Sequence, residues 1–218
     1  MEMSEVTPQR YLSTANEANL DRHGDSHLGV GYTKSPAEAA ERYAIMLGAT
    51  REQEEPVSLL DLGCGLAHML DYIRSHQEWD RIRYTGLDLS PRYVEAARER
   101  HPDADLIEVD ILDRDAALPD YDYVVMNGVF NYRGELSRER MLAYWKRMTA
   151  AAFRHCRRGI VFNVMSKLVD WERDDLFHLP FDTMSRFVAD ELSRHFVIRH
   201  DYDAYEYTVY VYRSPSTS

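Results

Sequence analysis

Residues 59–65, Leu-Leu-Asp-Leu-Gly-Cys-Gly, constrain the fold more than any other stretch of the chain. Apolar residues lead into Asp61, and Gly63 and Gly65 follow. Leu66, Met69, Leu70 and Ile73 then recur at the i, i+3, i+4, i+7 spacing of an amphipathic helix. The stretch therefore reads as strand, glycine turn, helix. A glycine turn lets a ligand approach the backbone where no side chain stands in the way. In open α/β sheets that place, at the carboxyl end of a strand, is where ligands bind.

The same alternation continues downstream. Strands are expected at 57–62, 82–87, 106–109, 121–126 and 159–164, with helices at about 66–76, from Ser90-Pro91 to His101, and along Met141, Leu142, Trp145, Met148, Ala152 and Phe153. Alternating strand and helix means βαβ units and a parallel sheet. Right-handed crossovers place helices on both of its faces. The tail departs from this pattern: a helix over 181–193, then strands at 195–200 and 205–212 close enough to pair antiparallel at one sheet edge. The expectation is an α/β, doubly wound, mostly parallel seven-stranded sheet with an antiparallel edge strand and helices on both faces. Residues 35–218 form its single domain. A capping box at Ser35-Pro36-Ala37-Glu38 opens a helix running to about Ala49. Residues 1–34 are polar, with Gly24, Gly29 and Gly31, and read as an irregular arm or lid over the site, with a short helix around 11–20.

Composition narrows the function. The 218 residues are 44% hydrophobic, enough for an ordinary core. The net charge of −11 argues against nucleic acid as partner and for a small-molecule substrate, since nucleic-acid binding needs clustered Lys and Arg. No run of eighteen apolar residues exists, so no membrane partner is expected. Cys64 and Cys156 give neither a disulfide framework nor metal-ligand spacing, so no metal is expected, and the chain reads as cytoplasmic. Composition says nothing of the oligomeric state.

Four strand ends carry polar residues or glycine: Asp61 to Gly65, Asp88, Asp110, and Asn127-Gly128. In a parallel sheet these ends share one rim. Asp88 follows the glycine turn at about the spacing, roughly 20 residues, of an acidic residue that binds ribose hydroxyls. The third glycine of a dinucleotide fingerprint is missing, because Leu66, Ala67 and His68 follow Gly65. Asp61 before the turn would repel a phosphate and favour a cation. A positively charged nucleoside such as S-adenosylmethionine fits this rim better than NAD, although an NAD-dependent oxidoreductase on a related fold stays as an alternative.

At these residues the chain resembles the class I S-adenosylmethionine-dependent methyltransferases. Leu59 to Gly65, Gly86-Leu87-Asp88-Leu89-Ser90, Val109-Asp110-Ile111 and Asp122 to Gly128 look like motifs one to four of that family, and the resemblance spans about 57–165. It implies that Gly63, Cys64 and Gly65 meet the methionine portion and that Asp61 lies near its amino group. It further implies that Asp88 binds the ribose, that Leu89, Asp110 and Ile111 hold the adenine, and that Asn127 and Gly128 lie near the transferring methyl. Arg42 would pair with the methionine carboxylate. Many members carry a further glycine where Ala67 stands. The fourth motif lacks the Asn/Asp-Pro-Pro-Tyr signature of enzymes acting on nucleic-acid bases, which lowers the RNA methyltransferase alternative. A hydroxyl or ammonium acceptor must lose a proton, and His27 and His23 in the arm are the candidate bases. His155, His178 and His195 read as surface or packing residues. The acceptor pocket is expected from Tyr32, Phe130, Asn131, Tyr132, Asn163, Ser166 and Tyr205. Their polarity suggests an O or N atom of a polar small molecule, such as a sugar or natural-product intermediate.

Overall fold

The computed structural model describes residues 6–31, 35–50, 55–113 and 117–215. Parallel pairing begins with β1 (Val57–Leu62), whose carboxyl end carries the glycine turn into α3 (His68–Ser75). Strand β2 (Ile82–Asp88), α4 (Pro91–Arg100) and β3 (Asp105–Glu108) complete the first half. The second half is β4 (Tyr121–Met126), α5 (Arg138–Arg154) and β5 (Cys156–Ser166). Then come β6 (His178–Leu179), α6 (Phe181–Phe187), β7 (His195–Arg199) and β8 (Glu206–Tyr212). Ahead of them all lie α1 (Pro8–His23) and α2 (Pro36–Leu47).

The sheet order is β3-β2-β1-β4-β5-β8-β7. The order reverses between β1 and β4, so the crevice for a ligand opens above that pair. Strand β8 runs antiparallel to both β5 and β7, which makes the closing pair expected from the tail. The sheet has eight strands among the described residues, not seven. The extra strand, β6, is two residues long and pairs with β5 only at Met165 and Ser166, too short for any periodicity to reveal.

Residue parity decides which side chain meets which layer. Leu60, Val124, Ile160, Phe162 and Val209 pack with Met141, Trp145 and Met148 of α5. Val57, Leu59, Val125, Val161 and Tyr210 pack on the other face with Met46 and Leu47 of α2 and Met69 and Ile73 of α3. Asp61, Asn163 and Glu206 share the parity of this second face and stand at its carboxyl rim.

The arm is more ordered than an irregular loop. Pro8 starts α1 and Gly24 ends it with φ +60°. Leu12 is buried in the α5-side core. Polar ties hold the rest: Gln9 Nε2 donates to Asp110 Oδ2 at 3.1 Å, Ser90 Oγ donates to Glu17 Oε1 at 2.5 Å, and Tyr93 Oη lies 2.7 Å from the carbonyls of both Asn16 and Gly29. The helix thus spans the sheet rim at its α4 side. Among the described residues no helix is long and apolar enough to cross a membrane.

Candidate active site

The glycine turn takes its shape from three successive backbone departures. Gly63 has φ +81° and Gly65 φ +53°, both in the left-handed region that glycine enters freely. A Cβ at Gly63 would stand 2.8 Å from Val129 Cγ2. Ala67 is also left-handed, with φ 57° and ψ 34°, at a cost of about 1–2 kcal/mol relative to its relaxed conformation. Ala67 is thus a left-handed N-cap where many family members carry glycine, and α3 begins at His68. Two amides of the turn, Gly63 N and Cys64 N, donate to the Leu87 carbonyl at 2.7 and 3.1 Å.

Asp88 braces the turn from the next strand. Its Oδ2 accepts from Gly65 N and its Oδ1 from Ser90 N, each at 2.9 Å. Each carboxylate oxygen keeps a second lone pair for a ligand hydroxyl. Burial pushes the Asp88 carboxyl up, and these amides oppose it. Asp61 is almost wholly buried and accepts from Tyr84 Oη at 2.9 Å. Desolvation, opposed by the Tyr84 bond and reinforced by Asp88, pushes its carboxyl up to about 7. Burial also pushes the Cys64 thiol up, so it stays protonated. Just past β3, Asp110 Oδ1 accepts from Leu112 N at 2.9 Å.

A polar cluster closes the β4–β5–β8 side. Glu206, 1% exposed, takes a short ion pair from Arg42 and hydrogen bonds of 2.8 Å from Asn131 Nδ2 and Asn163 Nδ2. Asn163 Oδ1 accepts from Gly128 N at 2.7 Å, and Asn163 Nδ2 lies 3.4 Å from Asn127 Oδ1. Asn163 therefore links the end of β4 to the Arg42–Glu206 pair.

One cavity of about 670 Å³ runs along the rim. It is lined at one end by Gln9, Leu89, Asp110 and Ile111, and in the middle by Asp61, Gly63, Cys64, Gly65, Asp88, Asn127, Gly128 and Arg42. Its far end meets Asn131, Tyr132, Trp171, His178 and Tyr205. Every residue that the resemblance places at the donor therefore borders one space. The acceptor set divides. Asn131, Tyr132 and Tyr205 line the cavity, and Tyr32 lies outside the described residues. Phe130, Asn163 and Ser166 do not line it and are corrected to interior roles. Phe130 packs edge-on against Tyr144 and Phe162, Asn163 is fully buried in the cluster just described, and Ser166 is buried with its Oγ accepting from Leu168 N and its amide donating to the Tyr205 carbonyl. Among the arm histidines, His23 lines the cavity and His27 does not.

Sequence reasoning missed Gln9, Glu206 and His178. A glutamate in a strand buried on both faces, between Tyr207 and the β7–β8 turn, was a usable signal, because a charge in that setting needs a partner.

Comparison with known proteins agrees with this geometry. Residues 60–162 match the family model described as a methyltransferase domain. A Mycobacterium tuberculosis protein named as a methyltransferase is 32% identical over 162 residues, covering 72% of this chain and 93% of that one. Trans-aconitate 2-methyltransferase of Escherichia coli is 39% identical over 75 residues, but the match spans only 29% of its length. Among solved structures, the magnesium protoporphyrin IX methyltransferase of Synechocystis with bound S-adenosylmethionine superposes with a TM-score of 0.67 at 12% identity, covering 98% of this chain and 100% of that one. The amino pentose methyltransferase CalS10 of Micromonospora echinaspora gives a TM-score of 0.56 at 17% identity, covering 84% and 94%.

Proposed function

Because this chain belongs to the class I S-adenosylmethionine-dependent methyltransferases, we propose that it moves the donor's methyl group to an oxygen or nitrogen of a small organic molecule. The observation that carries this reading is the continuity of the cavity. A single space of about 670 Å³ reaches from the ribose-type carboxylate Asp88 to an open end edged by Tyr132, Trp171 and Tyr205. That volume suits small ligands, whose sites run from about 300 to 1,000 Å³.

The rim fits the donor. Gln9 Oε1 and Asn131 Oδ1 are buried acceptor atoms without a hydrogen-bond partner, and both residues line the cavity. Buried acceptors left in this way cost about 1–3 kcal/mol each until a donor group arrives. Gln9 Oε1, beside Asp110, suits the adenine amino group, with Leu89 and Ile111 as the apolar walls. Asp88 suits the two ribose hydroxyls. Asp61 suits the α-ammonium, and the backbone of Gly63, Cys64 and Gly65 suits the methionine chain. Arg42 brings a positive charge to the cavity wall beside the methionine end, which suits the donor's carboxylate. The bound donor supplies a methyl group on a positively charged sulfur. The protein's share is to hold it in line with the acceptor, a positioning effect that reaches about 7–11 kcal/mol in the best cases.

The open end supports an acceptor with a flat or apolar part beside its polar one. Trp171 is 65% exposed and Tyr205 57% exposed, and both line the cavity mouth, where their ring faces can stack on a flat or apolar part of an acceptor. The acidic surface, net −11, supports a small molecule over RNA. The test is incorporation of labelled methyl from the donor into fractionated cell extract. Label in a low-molecular-weight fraction is expected. Label in the RNA fraction alone would refute the small-molecule reading.

A further inference from the structure

We propose that His178, through Nε2, is the base that takes the proton from the methyl acceptor. This rests on the small-molecule O/N-transfer reading above.

The sheet lattice gives its position. Strand β4 ends where Met126 faces Phe162, so continued pairing would set the next three residues opposite positions 163, 164 and 165 of β5. The chain instead leaves the sheet there, and Val129 turns toward Gly63. Met165 already pairs with Glu206 of β8 on its other side, so β6 must take up the vacated β4 side, and His178 stands opposite Met165. His178 therefore occupies the lattice place two residues beyond Asn127. Two strand residues are about 6.6 Å, and residues two apart share a face. Phe177 and Leu179 are buried in the α5-side core, which sends His178 to the opposite face, the one carrying Asp61, Asn163 and Glu206.

The ring's orientation is fixed. Its Nδ1 lies 2.6 Å from the Ser166 carbonyl, which can only accept, so Nδ1 carries the proton and Nε2 is the bare nitrogen. Ser166 N in turn donates to the Tyr205 carbonyl at 2.9 Å. The strand is strapped down by Phe177 N donating to the Asn131 carbonyl at 2.8 Å. His178 is 5% exposed, lines the cavity, and its Nε2 has no hydrogen-bond partner. A buried lone pair of this kind, on the cavity wall beyond Asn127, is the feature an incoming O–H or N–H satisfies. The charged groups around this end are the Arg42–Glu206 pair, the Arg173–Asp175 pair and Asp170, with the Tyr205 phenol at the mouth.

In the step, the acceptor's proton passes to Nε2. The freed lone pair forms the bond to the methyl carbon, and the electron pair of the broken carbon–sulfur bond stays on sulfur. The Ser166 carbonyl holds the resulting imidazolium through Nδ1–H, and the proton leaves to water after the product.

The test uses the full chain and two readouts. The first needs no acceptor: nitrogen NMR of histidine-labelled protein bound to S-adenosylhomocysteine or to sinefungin, which carries an ammonium-bearing carbon where the donor has its methylated sulfur. We expect the Nδ1–H tautomer in both complexes. We also expect the His178 Nε2 resonance to differ between the two complexes, because the sinefungin ammonium would stand on the same stretch of cavity wall as this lone pair. An Nε2–H tautomer, or an identical Nε2 resonance in both complexes, would overturn the assignment. The second readout is His178→Gln with acceptor-containing extract. Homocysteine-product affinity should stay within about twofold, while methyl incorporation at pH 7 falls by about a hundredfold or more and recovers as pH rises toward ionisation of the acceptor. Incorporation at the parent rate at pH 7, or a loss of the same size at every pH, would overturn it. If the parent enzyme labels no small molecule at all, the substrate reading falls, and the His178 nitrogen resonances alone decide its place.

Discussion

Asp61 gives the sharpest prediction, because its buried carboxyl titrates near neutrality. Its folded-state value is pushed up to about 7, against about 3.9 for an unfolded Asp. The folded chain therefore binds more protons than the unfolded one between pH 4 and 7. The stability tied to this group is present at low pH and lost as pH rises through about 7, and it amounts to on the order of 4 kcal/mol. Asp61→Asn keeps an amide oxygen for Tyr84 Oη and removes the ionisation. The unliganded variant should melt higher than the parent at pH 8, by about 2–4 °C per kcal/mol recovered. Binding should change in the opposite sense. An ammonium placed against Asp61 lowers its pKa by about 1–3 units, so below pH 7 the donor must displace a proton to bind. Calorimetric Kd for S-adenosylhomocysteine should rise about three- to fivefold from pH 7 to pH 6, with a net release of protons on binding, in a range where the ligand's own amino group stays charged. In Asp61→Asn the Kd should be weaker at pH 7.5 and flat over the same range. A parent Kd that is flat from pH 5.5 to 7.5, or an equal slope in the variant, would refute the assignment of Asp61 to the ammonium.

Three further substitutions probe the rim. Asp88→Ala removes the acceptor of Gly65 N and Ser90 N as well as the ribose contact, so homocysteine-product affinity by calorimetry should fall at least about tenfold; unchanged affinity would remove the ribose role. Glu206→Ala takes away the carboxylate shared by Arg42, Asn131 and Asn163, and urea titration should record a loss of about 3–5 kcal/mol, against a smaller loss for Glu206→Gln; equal losses would show that the charge is not what matters. Gly63→Ala forces a side chain into φ +81° and to 2.8 Å from Val129 Cγ2, so both stability and donor affinity should drop, the backbone term alone by about 1–2 kcal/mol; a variant that melts and binds like the parent would show that the turn relaxes freely.

The sheet was legible because its signals are local. Each parallel strand is a short apolar run, each helix shows a 3.6-residue stripe, and Ser35-Pro36 and Ser90-Pro91 announce their helices. That Asp61, Asp88, Asp110 and Asn127 share one rim was legible for the same reason: all lie at or just past the carboxyl ends of their strands, and parallel topology gathers strand ends. The acceptor end was not, because what builds it is joined across long stretches of chain. Arg42 meets Glu206, Gln9 meets Asp110, and β6 is too brief to show a pattern. Phe130 follows Asn127 closely and Asn163 lies near the end of the neighbouring strand β5, yet both turn inward, where aromatic packing and a buried amide network hold them. His178 lies in a stretch without periodicity, and only the register of β6 on β5 brings it above Asn127. The arm shows the same limit: α1 is tied down mainly by polar bonds to Asp110, Ser90 and Tyr93, which leave no apolar stripe to read.

The account stands on the donor lying along the carboxyl rim of β3, β2, β1 and β4. A crystal structure of the protein with S-adenosylhomocysteine measures this directly. The prediction is adenine between Leu89 and Ile111 with its amino group at Asp110 and Gln9, both ribose hydroxyls on Asp88, and sulfur beside Asn127 on the way to His178. A nucleoside bound elsewhere, or one whose ribose leaves Asp88 untouched, would contradict it.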